Sequence, residues 1–495
     1  MYRRFSRSFC RLCPKRDSNA TEKMDGEADG DPQHRQHVQH YPLEIVDLPP
    51  EIILLVFTHL PAEYCVRNVA RVCRLFRDLL KEPNWWRHRR KAKGLNVHEK
   101  EENHEDFDVC RLVVGCEREE RRWKAVHIQK KYSILAHFGT VNAVRLFEDS
   151  TGGRRCISAG RDRQIRLWDL DRVMEDGGKI DQSSSSFIAG GEAGTASEGA
   201  SGSSFRLHTD PRLSSTELIS KNDRKELIHS ADYAHAGWIW QATSPNAAND
   251  FYSCGWDCLV KRWKMSPTGF QETGQLNLGS AVVGLEWSDG CSDELVCSTF
   301  LKRVCVIDSR ADMQVVQEHK LHSKAVIGVA TRGHLLYSWS EDRSIVLADR
   351  RRMDTNLASV KVDKSYVTQM SVGATSLYAG TSKGDCIYMN PATLEIWRSF
   401  PVHTISPCAG TQQKDALLRG VVNTGSAVLA LSKWGKFDVL SCGLTPRPLI
   451  SSMDIAGEPS RMDCRQGEMV VGLGEGKLVF WPKPTRNEMD IVSTL

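Results

Sequence analysis

The sequence predicts an all-β ring, a seven-bladed β-propeller, preceded by a small all-α domain. Three observations carry that prediction. Beyond residue 130, short apolar strands alternate with polar turns, and one motif recurs about every 40–45 residues. Between Leu48 and Trp86, apolar residues fall at helical spacing and are interrupted by prolines. The chain of 495 residues, 40% of them hydrophobic, is long enough to build both.

The helical domain comes first. Pro49-Pro50 can open a helix, because proline is tolerated in a first turn. Ile52, Leu55, Val56 and His59 then share one face, and Pro61 stops the helix. Val66, Val69, Val72, Cys73, Phe76 and Leu80 form a second apolar set, stopped at Pro83 before Trp85-Trp86. Forty residues make a poor core on their own, and three short helices cannot hide this many apolar side chains. A protein partner is expected to cover some of them. The charged stretch that follows reads as a solvated helical connector.

The repeat can be tested by its spacing. ISAGRDRQIRLWD (157–169) and YSCGWDCLVKRWK (252–264) share a small residue, a Gly, an Asp and a Trp in register. The place of Trp263 recurs at Ile307, Ala348, Tyr388, about Asp438, and Phe480. This is the period of a propeller blade. The interval between Trp168 and Trp263 is too long by a Ser/Gly-rich insert, placed at about 172–228. With the insert removed, seven blades remain. The last blade lacks its outer strand, and Trp123-Lys124-Ala125-Val126-His127-Ile128, which alternates like a strand, is expected to supply it and close the ring.

Two blades hold a polar tetrad, His137, Ser158, Asp162 and Trp168 in the first and His235, Ser253, Asp257 and Trp263 in the second. The Asp can accept from the imidazole, the His can donate to the Ser, and the Ser can donate to the indole or the backbone. A buried chain of this kind satisfies its own members and pins the turns. His, Ser and Asp together also suggest a hydrolase. However, the group repeats with the blade and no nucleophile elbow accompanies it, so a structural role is expected. Elsewhere Leu301, Ser382, Ser432 and Gly474 are read as standing in the place of the Asp.

Composition excludes several functions. The formal net charge is +4, so no global field for polyanions is implied and nucleic acid is not an expected partner. The run Arg87-His88-Arg89-Arg90-Lys91 reads as a solvated face. No apolar run of about 18 residues is present, so no membrane helix is predicted. The opening MYRRFSRSFCRLCPKR has no apolar centre of a secretory signal. Sixteen scattered cysteines read as reduced thiols of a cytoplasmic, and also nuclear, protein. Cys10, Cys13, His34, His37 and His40 have loose spacing for zinc in a tail expected to be disordered. No metal and no cofactor are expected.

The propeller region resembles the WD-repeat family. The helical segment, LPPEIILLVFTHL (48–60) with VARVCRLFRDLLKEPNWWR (69–87), resembles an F-box. Further likeness to F-box and WD-repeat proteins lies in HFGTVNAVRL (137–146), HAGWIWQA (235–242), SAVVGLEW (280–287) and SEDRSIVLADRR (340–351). The resemblance implies a non-catalytic substrate receptor of a Skp1–cullin–F-box (SCF) ubiquitin ligase. Leu48, Pro49, Ile52, Leu55, Leu60, Val72, Cys73 and Phe76 would form or support the Skp1 contact, and a cullin–RING assembly would be reached through Skp1. The alternative is a WD-repeat scaffold with no ligase role. Expected boundaries are a tail over 1–42, an F-box over 43–90, a connector over 91–118, the propeller over 119–485 and a tail over 486–495.

The target-binding face is expected at the entry of the inner strands and beside each turn Asp. Asn142, Arg161, Trp240, Trp256, Ile327 and Glu341 stand there, with Val283, Phe300, Thr368 and Thr381. Arg161 is the sole arginine of this set, which argues against a phosphate pocket and for an aromatic-anchored target.

Overall fold

The computed structural model describes residues 45–126, 131–175, 227–245, 247–288, 293–310, 312–402, 417–450, 452–465 and 467–483. The expectations for both tails, and for nearly all of the insert, lie outside these residues.

Helix α1 (Pro50–Thr58) begins with proline at its first position, where a missing N–H costs nothing. Ile53 and Phe57, one turn apart, turn inward and are buried. Pro61 precedes α2 (Ala62–Arg67). The second apolar set is not one helix. A 3-10 turn at Val69–Arg71 and an extended Cys73 separate α2 from α3 (Arg74–Leu79). The break turns Val66 and Val72 outward while Val69, Phe76 and Leu80 stay inside. In α4 (Pro83–Ala92) both indoles find acceptors: Trp85 Nε1 donates to the Leu54 carbonyl (3.2 Å) and Trp86 Nε1 to that of Leu80 (2.7 Å).

Two expectations need correction here. The charged stretch is not a solvated face, because Arg89 and Arg90 are buried. They are held by partners in the two helices that follow, α5 (Glu99–Glu102) and α6 (Val109–Val126). Nor do residues 123–126 form a strand: they are the last turn of α6. Val113, Cys116 and Trp123 are buried at helical spacing, and that longer periodicity overrides a few residues of alternation. The Trp123 Nε1–H donates to Glu119 one turn back (2.8 Å), and the ring lies 5.0 Å from Phe437 of the propeller. The ring does close as expected, but with Tyr132–Leu135, which pairs antiparallel with Lys477–Trp481 of the last blade.

The described residues form seven four-stranded antiparallel sheets, one per blade. Trp168, Trp263, Ile307, Ala348, Tyr388 and Phe480 all lie in third strands, as the spacing predicts. Asp438 lies in the third strand of the sixth blade as well. The residues in exact register with Trp168 in blades five to seven are, however, Met389, Leu440 and Trp481, which pair with Leu377, Val428 and Met469 as Trp168 pairs with Cys156.

In such a blade, the turns between first and second and between third and fourth strands share one face. The helices dock there, on blades five to seven. The Glu101 carboxylate accepts from Thr375 Oγ1 (2.7 Å) and from the Tyr388 hydroxyl. His98 stacks flat on Trp397 at 4.6 Å, Lys100 pairs with Glu395 at 2.6 Å, and Arg122 donates to the Gly467 carbonyl. Gly115 lets α6 approach the Ser426 turn: a Cβ there would lie 2.7 Å from the Ser426 side chain. One apolar cluster therefore runs from Ile53 and Phe57 through Val113, Cys116 and Trp123 to Leu429, Phe437 and Val471.

A buried ion pair fixes the angle of the helical domain on this seam. Arg89 and Glu117 meet at 2.9 Å, each side chain less than a tenth exposed. Arg89 also donates to the Phe57 (3.0 Å) and Leu60 (2.6 Å) carbonyls at the end of α1. Glu117 accepts the first N–H of α2, from Ala62, at 2.7 Å. Glu63, one residue on, meets Arg118 and Arg121 of α6 at 3.2 and 2.9 Å. Burial alone would push the Glu117 carboxyl up, but the Ala62 N–H, Arg89 and Lys93 together hold it below its ordinary value.

Removing one member of such a pair strands the other. Glu117→Ala should therefore lower unfolding free energy by roughly 3–5 kcal/mol in denaturant titrations. The pH dependence follows from the lowered pKa in the folded state. The stabilisation should be complete above the ordinary value of 4.5 and lost as pH falls through the lowered one, so the stability gap between wild type and the Ala variant should narrow in acid.

Candidate functional site

Two surfaces and one repeated polar group are candidates for function. The polar group is structural. In the first blade His137 Nδ1 meets Asp162 at 2.9 Å and its Nε2 meets Ser158 Oγ at 2.7 Å, while Trp168 Nε1 lies 2.8 Å from the same oxygen. The second blade repeats this through His235, Asp257, Ser253 and Trp263 at 2.8, 2.7 and 2.8 Å. The direction of the bonds differs from expectation. An indole nitrogen only donates, so Trp168 donates to the Ser158 hydroxyl and the hydroxyl donates to His137 Nε2. His137 Nδ1–H then donates to the carboxylate. Burial lowers the His137 pKa, in keeping with the neutral ring that this chain of donors requires. Both serines are fully buried, so neither can meet a substrate.

A partial copy in the fourth blade was not singled out by the sequence. His322 bonds Ser338 and Ser344, both at 2.8 Å, while Asp342 accepts the Ser323 N–H. The third-strand Trp is absent, with Ala348 in its place. The register also corrects three turn positions. The residue after each turn Asp has positive φ, as in Arg163 and Cys258, and in blades five to seven Gly384, Gly435 and Gly476 take that place. The Asp position is therefore held by Lys383, Trp434 and Glu475, not Ser382, Ser432 and Gly474. Ser158→Ala should orphan both the indole N–H and the imidazole nitrogen. That should lower stability by about 1–3 kcal/mol for each lost partner in thermal unfolding.

The first candidate surface lies on the helical domain. Leu55 is 57% and Ile52 43% exposed, with Pro49 and Val72 also exposed. Leu48, Leu60 and Cys73 are half-buried at the rim. Phe76 lies beneath, buried edge-on against Phe57 at 5.2 Å, and so can support this surface but not face a partner. Val46, Val56, Val66 and Leu75 extend the surface beyond the residues selected from sequence. The signal for Val56 was the face of α1 opposite Ile53 and Phe57, whereas Val46, Val66 and Leu75 stand on other elements and carried no such signal.

The second lies on the propeller face away from the helices, formed by blade-to-blade loops and the turns between second and third strands. Arg161, Trp256 and Glu341 are exposed there, while Trp240 and Ile327 are half-buried near the central channel. Asn142 is a staple between blades, donating to the Ile239 carbonyl at 3.1 Å. Val283 and Thr381 are buried, and Phe300 is exposed. Trp238 was missed. It lies 6.3 Å from Trp256, and Trp256 lies 6.0 Å from Trp240 and 5.7 Å from Phe300. Arg419 was missed too: it stands in the sixth blade where Asn142 stands in the first. Burial lowers its pKa against the pull of Glu458. The channel below holds a cavity of about 350 Å³, lined by Arg145 and Arg461 and by Glu286 and Asp463. Among the described residues, no three His, Cys, Asp or Glu side chains gather to hold a metal ion, and no helix is long and apolar enough to cross a membrane.

An F-box-like family model matches residues 45–91, and a model of the WD domain, G-beta repeat, matches residues 128–169. The chain thus carries an F-box-like segment ahead of a WD-repeat segment, and it is similar along most of its length to proteins that carry both names. It is 27% identical to F-box/WD repeat-containing protein mec-15 of Caenorhabditis elegans, over 88% of this chain and 95% of that protein. It is 28% identical to F-box/WD repeat-containing protein 9 of Homo sapiens, over 74% of this chain and 69% of that protein. The crystal structure of RRP9 WD40 repeats shares the propeller fold, with a TM-score of 0.54 at 11% identity, covering 72% of this chain and 97% of that one. The F-box and the seven-bladed WD propeller are thus joined in one chain, an architecture that points to an F-box substrate adaptor.

Proposed function

We propose that this chain is the substrate-recognition subunit of an SCF ubiquitin ligase. The F-box docks on Skp1, and through it on a cullin–RING assembly. The outward face of the propeller holds the target protein, and the chain itself makes and breaks no bond. One observation carries this reading: α1 and the segment around Val72 present bare apolar side chains on a domain whose other side is sealed to the propeller. Exposed apolar surface of this extent, backed by a rigid core, suits a permanent protein partner. The helices occupy one propeller face and leave the opposite one open, so both partners can be held at once.

The contribution of such a receptor to ubiquitin transfer is proximity. Holding the target beside the loaded enzyme makes the reaction effectively intramolecular, and a rigid joint preserves that effective concentration. The residues assigned to Skp1 are Leu48, Pro49, Ile52, Leu55, Leu60, Val72 and Cys73, with Phe76 as their support. We place the chain in the cytoplasm and nucleus, where its partners would work.

Ile52→Asp with Leu55→Asp tests the docking surface. Both side chains are exposed in the free chain, so the melting temperature should stay close to wild type. Skp1 affinity should fall by more than about thirtyfold, the loss expected at an interface centre worth about 2 kcal/mol or more. Unchanged co-purification with Skp1 would place the docking surface elsewhere, and a wild type that captured no Skp1 would favour a scaffold without ligase function.

A further inference from the structure

The outward propeller face has an uneven chemistry. Over blades one to three it carries a wall of exposed rings. Trp256 is at its centre, edge-on to Trp238 and tilted against Phe300, and all three are at least 40% exposed. The backbone beneath these rings is fixed by a bond that recurs in every blade. Trp256 N–H donates to the Trp238 carbonyl at 2.9 Å, which ties the loop entering blade two to the turn above it. Gly237 leaves room for that approach: a Cβ there would sit 2.8 Å from the Asp257 nitrogen.

Two arginines stand on the same edge. Arg161 lies over the Trp238 ring at 4.9 Å and Arg163 over Tyr233 at 4.9 Å. No carboxylate among the described residues pairs with either of them. Each guanidinium is thus held in place by an aromatic face while its N–H edge stays free to bind an acceptor. Glu175 and Leu227, between the third and fourth strands of blade one, lie on the opposite face.

We infer that this quadrant reads a linear target segment in which a large apolar or aromatic side chain sits among acidic residues. The anchor packs between Trp256, Trp238 and Phe300, and flanking carboxylates meet Arg161 and Arg163. Large rings supply contact area at low entropic cost, and the two fixed guanidinium groups supply the complementary charge. A phosphate site fits less well. The two arginines are laid on separate rings instead of being gathered around one position, whereas a dianion calls for convergent donors. Single-stranded nucleic acid also fits less well. The rings meet edge-on or tilted instead of offering successive parallel platforms, and the flat faces of Trp238 and Tyr233 are already taken by arginine.

This inference rests on the receptor reading and deepens it, and the test separates the two. A random peptide library displayed on phage is panned against the full chain, and enriched peptides are resynthesised with a fluorophore. The expected peptides share an aromatic residue or Leu with Asp or Glu beside it, and they bind more weakly as salt rises. They should lose at least about tenfold in affinity to Trp256→Ala, and likewise to the double variant Arg161→Glu/Arg163→Glu. Arg161 is exposed and Arg163 half-buried, and neither belongs to the core, so the arginine variants keep the test decisive should Trp256→Ala unfold the blade. All these variants should still capture Skp1.

Several outcomes would overturn the inference. They are enrichment of neutral or basic peptides, absence of any enriched peptide, equal binding by the variants, or binding only when a phosphoserine replaces the carboxylate. A labelled oligouridylate that bound more tightly than the peptides and was lost in the same variants would replace a protein target with RNA. Peptide binding without Skp1 capture by the wild type would sink the ligase reading alone.

Discussion

The architecture depends on the ion pair between Arg89 and Glu117. Each partner does two jobs. Arg89 gathers the last carbonyls of α1 at Phe57 and Leu60, and Glu117 caps the first N–H of α2 at Ala62. The helix ends on either side of Pro61 would otherwise leave buried polar groups without partners. Both charges sit in the seam between the F-box and α6, so the pair sets the register of one on the other. Taking two charges out of water costs about as much as their attraction returns. The consequence is positional more than energetic: the F-box has one orientation on α6, and α6 has one on the propeller.

Apolar contact then makes the joint rigid. Trp123 against Phe437, and Gly115 against the Ser426 turn, bring α6 down onto blades six and seven. Glu101 and His98 do the same on blade five. The F-box cannot bury its outward face in this way, because its inner face is already spent on Ile53, Phe57 and their neighbours. A surface left bare for a partner and a surface sealed to the ring are two sides of the same short helices.

Much of this was legible in sequence where a single periodicity ruled. The blade period placed all seven third strands, though not always to the exact residue, and the pattern of His, Ser, Asp and Trp located both tetrads. The exposed face of α1 followed from helical spacing. Other features were hidden for physical reasons. Arg89 and Glu117 look like solvent residues because a charge run reads the same whether or not a partner lies across the seam. Residues 123–126 mimic a strand, and the helical stripe that outvotes them begins ten residues earlier at Val113. The turn positions in blades five to seven were misplaced by one or two residues, because without an Asp only the positive-φ glycines mark the register. Trp238 and Arg419 were missed because membership of the outward face is set by loop geometry, which short motifs do not encode.

The central claim is that F-box, α6 and propeller form one mechanical unit. Native-state hydrogen exchange across a rising series of denaturant concentrations tests it most directly. The account predicts that amides of α6 from Cys116 to Trp123 open with the same free energy and denaturant dependence as those of Ala427–Ser432 in blade six. An α6 that opened at far lower free energy than that strand, with the blade still protected, would contradict it.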